Sequence, residues 1–199
     1  MKRSLLLGLD VLDRQVVDRD EELSGKVDEV ELERAGDSLR VSALLVGPAA
    51  WRDRLPPPLR QPLSRFLNGE VTRIAWQEVA EVDSAVRLTI PASSLQELRV
   101  ELQPQTRECL RLSSLLGARV LDADGRSRGR VHEVEAERSD GDGDFLVSRL
   151  WLGREGLLRR LGLGAGAASA AEIPWAEVGG WNVHEVRLQA SGELSRPIG

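Results

Sequence analysis

Several residue types and patterns are scarce in this chain. Cys109 is the only cysteine, so neither an intrachain disulfide nor a cysteine-rich zinc site can form, and a reducing cytoplasm is the predicted location. No apolar run approaches the ~20 residues of a membrane-spanning helix, which argues against a transmembrane segment. The apolar residues 5–9 stop at Asp10 without a small-residue cleavage site, so they predict the first strand of the first domain and not a secretory signal.

Positive charge is not in excess either. The net charge is −5, and of 27 basic residues only Lys2 and Lys26 are lysines. A chain of this balance lacks the basic footprint of bulk nucleic-acid binding. Because arginine is favoured throughout, an individual arginine carries little weight as evidence for a site.

A segment of the chain occurs twice, about 104 residues apart. Residues 16–20 and 25–34 return in register as residues 120–124 and 129–138. A later motif, Trp76-Gln77-Glu78-Val79, returns as Trp175-Ala176-Glu177-Val178. A period this long exceeds the units of about 20 to 50 residues found in solenoids, so the pattern indicates two copies of one small domain.

Alternating apolar and polar residues predict β-hairpins in both copies. Residues 26–33 and 39–46 flank a Gly36-Asp37 turn, and residues 130–137 and 145–152 flank a turn rich in aspartate and glycine. So many short strands in so small a unit favour an all-β protein of two tandem small antiparallel barrels. The predicted divisions are a divergent first domain over residues 1–92, a connector over 93–111, a second domain over 112–190 and a C-terminal tail over 191–199.

Residues 112–125, Gly129-Arg130-Val131 and Ile173-Pro174-Trp175-Ala176-Glu177-Val178 together resemble the PRC-barrel family. The resemblance covers residues 112–190, and residues 5–90 match more loosely. It implies a small β-barrel that serves as a binding or assembly module without shared catalytic residues. Members occur in photosynthetic reaction-centre subunits and in ribosome-maturation factors, but the transmembrane helix of the former and the translation-factor-like first half of the latter are not seen in this sequence.

Both copies carry an insertion before the Trp-x-Glu-Val motif, and each insertion mixes arginines with leucines. One interpretation is a basic, apolar patch that contacts an anionic or protein partner. The other is a segment whose leucines close the end of the barrel while its arginines stay in solvent. On the first interpretation the candidate interaction residues are Trp51, Arg52, Arg54, Trp151, Arg154, Arg159 and Arg160.

Other groups only imitate chemical sites. Asp122, Asp124 and Glu133 have the spacing of the ends of a calcium loop, but Arg126 stands where an oxygen ligand is needed, which predicts a polar turn. His132 and His184 lie among polar neighbours on predicted strands, so both are predicted to be exposed strand residues. No nucleophile motif accompanies either histidine, which argues against a catalytic triad. No catalytic residue, metal ligand or cofactor site is predicted.

Two tryptophans at equivalent places, Trp76 and Trp175, are predicted to anchor the cores of their copies. The sequence thus favours a non-enzymatic, cytoplasmic PRC-barrel protein that binds a protein partner, at a membrane complex or elsewhere. The alternative is a factor that associates with RNA or with ribosome assembly. The identity of the partner and the oligomeric state do not follow from the sequence.

Overall fold

The structure is a computed structural model that describes residues 3–53, 69–140, 143–153 and 172–189. Strands predominate in these ranges, which confirms the all-β class. They form one sheet of twelve strands and a second sheet of four. Neither sheet closes on itself within the described residues, so the finer prediction of two tandem barrels is not confirmed.

The two repeats contain the same elements in the same order. The first consists of β2 (Gln15–Val17), β3 (Leu23–Lys26), β4 (Glu29–Ala35), β5 (Ser38–Val46), β6 (Glu70–Ala75), β7 (Val79–Val82) and β8 (Val86–Leu88). The second consists of β11 (Arg119–Leu121), β12 (Ser127–Arg138), β13 (Phe145–Leu152), β14 (Glu172–Pro174), β15 (Val178–Asn182) and β16 (Glu185–Leu188). The single long strand β12 corresponds to β3 and β4 together.

Three further strands and six short helical segments complete the described chain. Strand β1 (Ser4–Leu6) precedes the first repeat, while β9 (Arg99–Glu101) and β10 (Cys109–Arg111) lie between the repeats. The helical segments are a π-helical turn at Leu7–Val11, 3₁₀ turns at Pro48–Asp53, Trp76–Glu78 and Trp175–Glu177, and α-helical turns at Ala92–Leu95 and Leu112–Leu115.

The predicted hairpins are confirmed. Strands β4 and β5 pair from Glu29 opposite Leu45 to Ala35 opposite Ser38. Gly36 closes the turn with φ +63°, a conformation that glycine adopts without steric cost. Strands β12 and β13 form the matching hairpin. Both insertions also lie at the same point of the fold, between β5 and β6 in the first repeat and between β13 and β14 in the second.

The strands that precede the repeats are exchanged between them. β1, predicted to belong to the first domain, pairs instead with β12 of the second repeat, and β10 pairs with β4 of the first. Leu5 of β1 and Leu110 of β10 are fully buried in the sheets they join. Each buried leucine contributes about 1.5–3 kcal/mol of hydrophobic stabilisation to the opposite repeat.

The centre of the large sheet joins the two hairpins directly. Strand β5 pairs antiparallel with β13 through Arg40 opposite Leu146. These two residues are equivalent, because Arg40 faces Glu33 within its hairpin and Leu146 faces Glu137. Antiparallel pairing of equivalent positions is what a two-fold relation between the repeats produces.

One main apolar core extends through both repeats. The predicted core positions of Trp76 and Trp175 are confirmed, with 4% and 5% of their surfaces exposed. Each tryptophan contacts the hairpin of the other repeat. The ring of Trp76 meets Phe145 edge-on with centroids 5.5 Å apart, and Trp175 Nε1 donates a 2.9 Å hydrogen bond to the carbonyl of Asp37.

Candidate functional site

Two of the seven candidate interaction residues have described side chains. Trp51 lies in the 3₁₀ turn Pro48–Asp53 and Trp151 lies in β13. The backbone of Arg52 belongs to the same 3₁₀ turn. Outside the described part of the chain are the side chain of Arg52 and the residues Arg54, Arg154, Arg159 and Arg160.

Trp51 is an exposed aromatic residue with a fixed orientation. Among the described residues, Trp51 is one of three large apolar residues that are exposed, and 41% of its surface is accessible. The indole Nε1 donates a 2.6 Å hydrogen bond to Oδ1 of Asp28. Lys26 Nζ lies 4.9 Å from the ring centroid, within the range of a cation–π interaction. The ring is therefore held in place and still presents a large surface to solvent.

Asp28 connects this tryptophan to the sheet. Only 5% of Asp28 is exposed, and its Oδ2 accepts a 2.7 Å hydrogen bond from the backbone N–H of Gly47, the residue that follows β5. Lys26 Nζ lies 3.7 Å from Oδ1 of the same carboxylate. Lys26, Asp28 and Trp51 are called the Trp51 surface below. Sequence reasoning did not find the two charged members, although His132 at the position equivalent to Asp28 marks a difference between the copies.

Trp151 has a different environment from Trp51. It lies in the middle strand of three, opposite Glu133 of β12 and Glu172 of β14. Its side chain is half-buried, and Nε1 donates a 3.3 Å hydrogen bond to Oε2 of Glu135. The two tryptophans that flank the insertions are therefore not structural equivalents, and only Trp51 projects far into solvent.

Arginines within the sheet neutralise acidic side chains of the hairpins. Arg73 Nε lies 2.8 Å from Oε1 of Glu31 in the first repeat. In the second repeat Arg149 lies 3.4 Å from Glu135, the equivalent of Glu31, and 2.8 Å from Glu172. The arginine comes from β6 in one repeat and from β13 in the other. These glutamates are thus held in ion pairs that support the sheet.

Asp122 and Asp124, which imitate the start of a calcium loop, lie in a polar turn, as predicted. Oδ1 of Asp122 accepts hydrogen bonds from the backbone N–H groups of Asp124, at 3.1 Å, and Arg126, at 2.8 Å. Glu133 is buried in β12 with 2% of its surface exposed. Across the described ranges, no three His, Cys, Asp or Glu side chains are grouped as metal ligands would be.

The histidines and the cysteine occupy ordinary structural positions. His132 lies in strand β12 as predicted, but it is half-buried, so its predicted exposure was wrong. His184 is exposed as predicted but lies in the turn between β15 and β16 with φ +85°, so its assignment to a strand was wrong. Cys109 is half-buried in β10, and burial together with the negative charges of Glu31 and Glu33 raises its pKa to about 11. Its thiol is protonated at neutral pH, which does not suit a nucleophile.

None of the helical turns in the described ranges has the length and apolar character needed to cross a membrane. In the comparisons with known proteins, no protein-family model and no curated protein matches the chain.

Proposed function

We propose that this chain is a non-enzymatic, cytoplasmic binding module related to the PRC-barrel proteins, and that it holds a protein partner through the Trp51 surface. The observation that carries the proposal is the exposed indole of Trp51, held by Asp28 and Lys26. The repeated order of strands and the Trp-x-Glu-Val turns in both copies support the family relation, and each repeat is proposed to be an opened form of that barrel.

An exposed tryptophan with a fixed orientation suits an interface anchor. Tryptophan is enriched among the few residues that dominate the binding free energy of protein interfaces. Because Trp51 is already oriented, association would cost little additional side-chain entropy. The polar groups around the indole would form a rim that remains hydrated.

The charges of the Trp51 surface favour a protein over RNA. Lys26 Nζ lies within 3.4 Å of Asp13 and 3.7 Å of Asp28, so its positive charge is balanced by two carboxylates. A nucleic-acid site needs uncompensated basic side chains that follow the phosphates. The net charge of −5 points the same way.

The test is an affinity capture from native-host lysate, carried out separately on the soluble and the detergent-extracted membrane fractions. The baits are the wild-type chain, Trp51→Ala, Trp51→Phe and Leu23→Ala, and the captured protein is then purified for affinity measurement. Leu23 is the control because it is also apolar and is 74% exposed. We expect Trp51→Ala to weaken binding about tenfold or more, Trp51→Phe to weaken it less, and Leu23→Ala to leave it unchanged.

Equal affinity of the wild type and Trp51→Ala for the purified partner would refute the proposal. Recovery of ribosomal proteins that disappears at high salt would instead favour the RNA or ribosome alternative, because phosphate contacts are strongly salt-dependent. Adding Arg159→Glu with Arg160→Glu as a further bait tests the contribution of the second insertion.

A further inference from the structure

A pocket of about 560 Å³ lies between the hairpin of the first repeat and the edge of the second. This volume is within the range of sites that bind small organic molecules. Its aromatic side is formed by Trp175 and Trp181, whose ring centroids are 5.2 Å apart. Its charged side is formed by Arg34, Arg107 and Asp37. Strand β15, which contributes Gly179 and Gly180, lies at one edge of the large sheet.

The two arginines differ in their surroundings. The guanidinium of Arg34 lies 5.4 Å from the ring centroid of Trp181 and 3.4 Å from a carboxylate oxygen of Glu108. Arg107 is exposed and makes no ion pair with another described residue. Arg107 therefore brings an uncompensated positive charge to a pocket wall that also contains aromatic surface.

The equivalent place in the first repeat shows what forms the pocket. In the second repeat, Gly180 faces Arg187 and Trp181 faces Val186. In the first repeat, Glu81 faces Arg87 and Val82 faces Val86. Gly180 therefore corresponds to Glu81, and Trp181 corresponds to Val82. The second repeat thus has a glycine where the first has a carboxylate, and an indole where the first has a smaller aliphatic side chain. A Cβ atom added at Gly180 would meet no atom within 4 Å, so the missing side chain leaves open space.

We propose that this pocket binds a small aromatic anion, namely a molecule in which a flat aromatic ring is linked to a carboxylate or a phosphate. The ring would pack mainly against the indole of Trp181, beside the small exposed part of Trp175, and Arg107 with Arg34 would pair with the anionic group. The side chain of Asp37 opposes an anion and limits the affinity. Nucleoside monophosphates and aromatic carboxylic acids share this chemistry.

The experiment is a titration followed by calorimetry on the full chain, with tryptophan fluorescence as a second measurement for the probes that contain no indole. The probes are adenosine monophosphate and indole-3-acetate, with adenosine as a ring without charge and inorganic phosphate as a charge without a ring. We expect at least one of the two ring-bearing anions to bind, and the control compounds to bind about tenfold more weakly or not at all. The nucleotide and carboxylate arms distinguish the two classes of ligand.

Variants place the ligand in the pocket. Gly180→Glu introduces the carboxylate that the first repeat has at Glu81, and Arg107→Glu reverses the free charge, so each should weaken binding about tenfold or more. Asp37→Asn should strengthen binding. The control Arg128→Glu makes the same charge change on an exposed strand residue outside the pocket, and it should have no effect.

Failure of both ring-bearing anions to bind at millimolar concentration would refute the proposal, as would unchanged affinity in Gly180→Glu. Trp51 does not line this pocket, so Trp51→Ala should leave ligand binding intact. The outcome is thus independent of the partner-binding function proposed above.

Discussion

Glu29 and Glu133 occupy equivalent positions in the two repeats, and each accepts a hydrogen bond from the segment that precedes the other repeat. Oε1 of Glu133 accepts from the backbone N–H of Gly8 at 2.7 Å, and Oε1 of Glu29 accepts from that of Ser113 at 3.1 Å. Both glutamates are buried, with 0% of Glu29 and 2% of Glu133 exposed. The same exchange that brings Leu5 and Leu110 into the opposite cores therefore also satisfies buried polar groups.

The first prediction concerns Gly8. A Cβ atom at this position would lie 2.8 Å from both carboxylate oxygens of Glu133, so Gly8→Ala must displace a buried, hydrogen-bonded side chain. We expect a loss of about 1–3 kcal/mol in the free energy of unfolding, measured by urea denaturation. The matched control is Ser113→Ala at the equivalent position, where a Cβ atom is already accommodated. Equal losses in the two variants would contradict the steric explanation.

The second prediction concerns the dependence of the repeats on each other. Fragments 1–103 and 104–199 each lack the strand that completes their own sheet, because β10 and β1 belong to the opposite fragments. Neither fragment should form a folded monomer. Each would lose a buried leucine and the β5–β13 pairing, and the free energy of unfolding of a whole protein is only about 5–15 kcal/mol. Mixing them should restore one cooperative unfolding transition.

Circular dichroism and size-exclusion chromatography test this prediction. A fragment could also fold as a homodimer in which its own preceding strand replaces the missing one, and this result would support the exchange. A folded monomer of either fragment would overturn this prediction and would show that the repeat can fold without its partner.

The parts of the fold that depend on neighbouring residues, namely the hairpins and the two core tryptophans, could be predicted from the sequence. The hairpins follow from apolar residues at every second position, and the buried Trp76 and Trp175 follow from their matched, apolar surroundings. The partner of β1 could not be predicted, because a strand of only three residues, Ser4–Leu6, has too little pattern to distinguish the edge of one repeat from that of the other. The difference that forms the pocket was visible, since Gly180-Trp181 stands against Glu81-Val82, but only the known register showed that these positions correspond.

The third prediction compares two equivalent aspartates. Oδ1 of Asp18 accepts backbone hydrogen bonds from Asp20 and Glu22, and Oδ2 accepts a 2.6 Å bond from Ala92. Among the described residues, Asp122 accepts backbone hydrogen bonds through Oδ1 alone, from Asp124 and Arg126. An asparagine amide can replace one accepting oxygen but not two, so Asp18→Asn should reduce the free energy of unfolding more than Asp122→Asn.

The loss of stability in Asp18→Asn, relative to the wild type, should depend on pH. The backbone N–H of Glu22, above all, lowers the pKa of Asp18 below its ordinary value of 3.8, against the opposing effect of burial. A lowered pKa in the folded state stabilises the protein above the unfolded pKa and ceases to do so as pH falls through the folded value. The gap between wild type and Asp18→Asn in urea denaturation should therefore narrow under acid conditions. A gap that stays constant would contradict the assigned role of the charge.

The fourth prediction concerns the reactivity of Cys109. Burial, followed by the charges of Glu31 and Glu33, raises the pKa of its thiol from about 9 to about 11, so the thiolate that reacts with alkylating agents is scarce at neutral pH. Alkylation by iodoacetamide, followed by mass spectrometry, should be slow in the folded protein and fast in urea. The rate should increase about tenfold per pH unit up to the raised pKa.

Substitution of the glutamates tests the cause of this shift. Glu31→Gln removes a negative charge beside the thiol, so it should lower the pKa of Cys109 and speed alkylation. The control is Glu135→Gln, the same change at the equivalent glutamate of the second repeat. There the neighbouring side chain is Ser4, which donates a hydrogen bond to Glu135, and not a cysteine. The second variant should leave the rate unchanged. Because the folded state holds the thiol proton more tightly, this group stabilises the fold below pH 9 and loses that contribution between about pH 9 and 11. Rapid alkylation of the folded wild type at neutral pH would contradict both the burial of Cys109 and its pairing with the acidic strand β4.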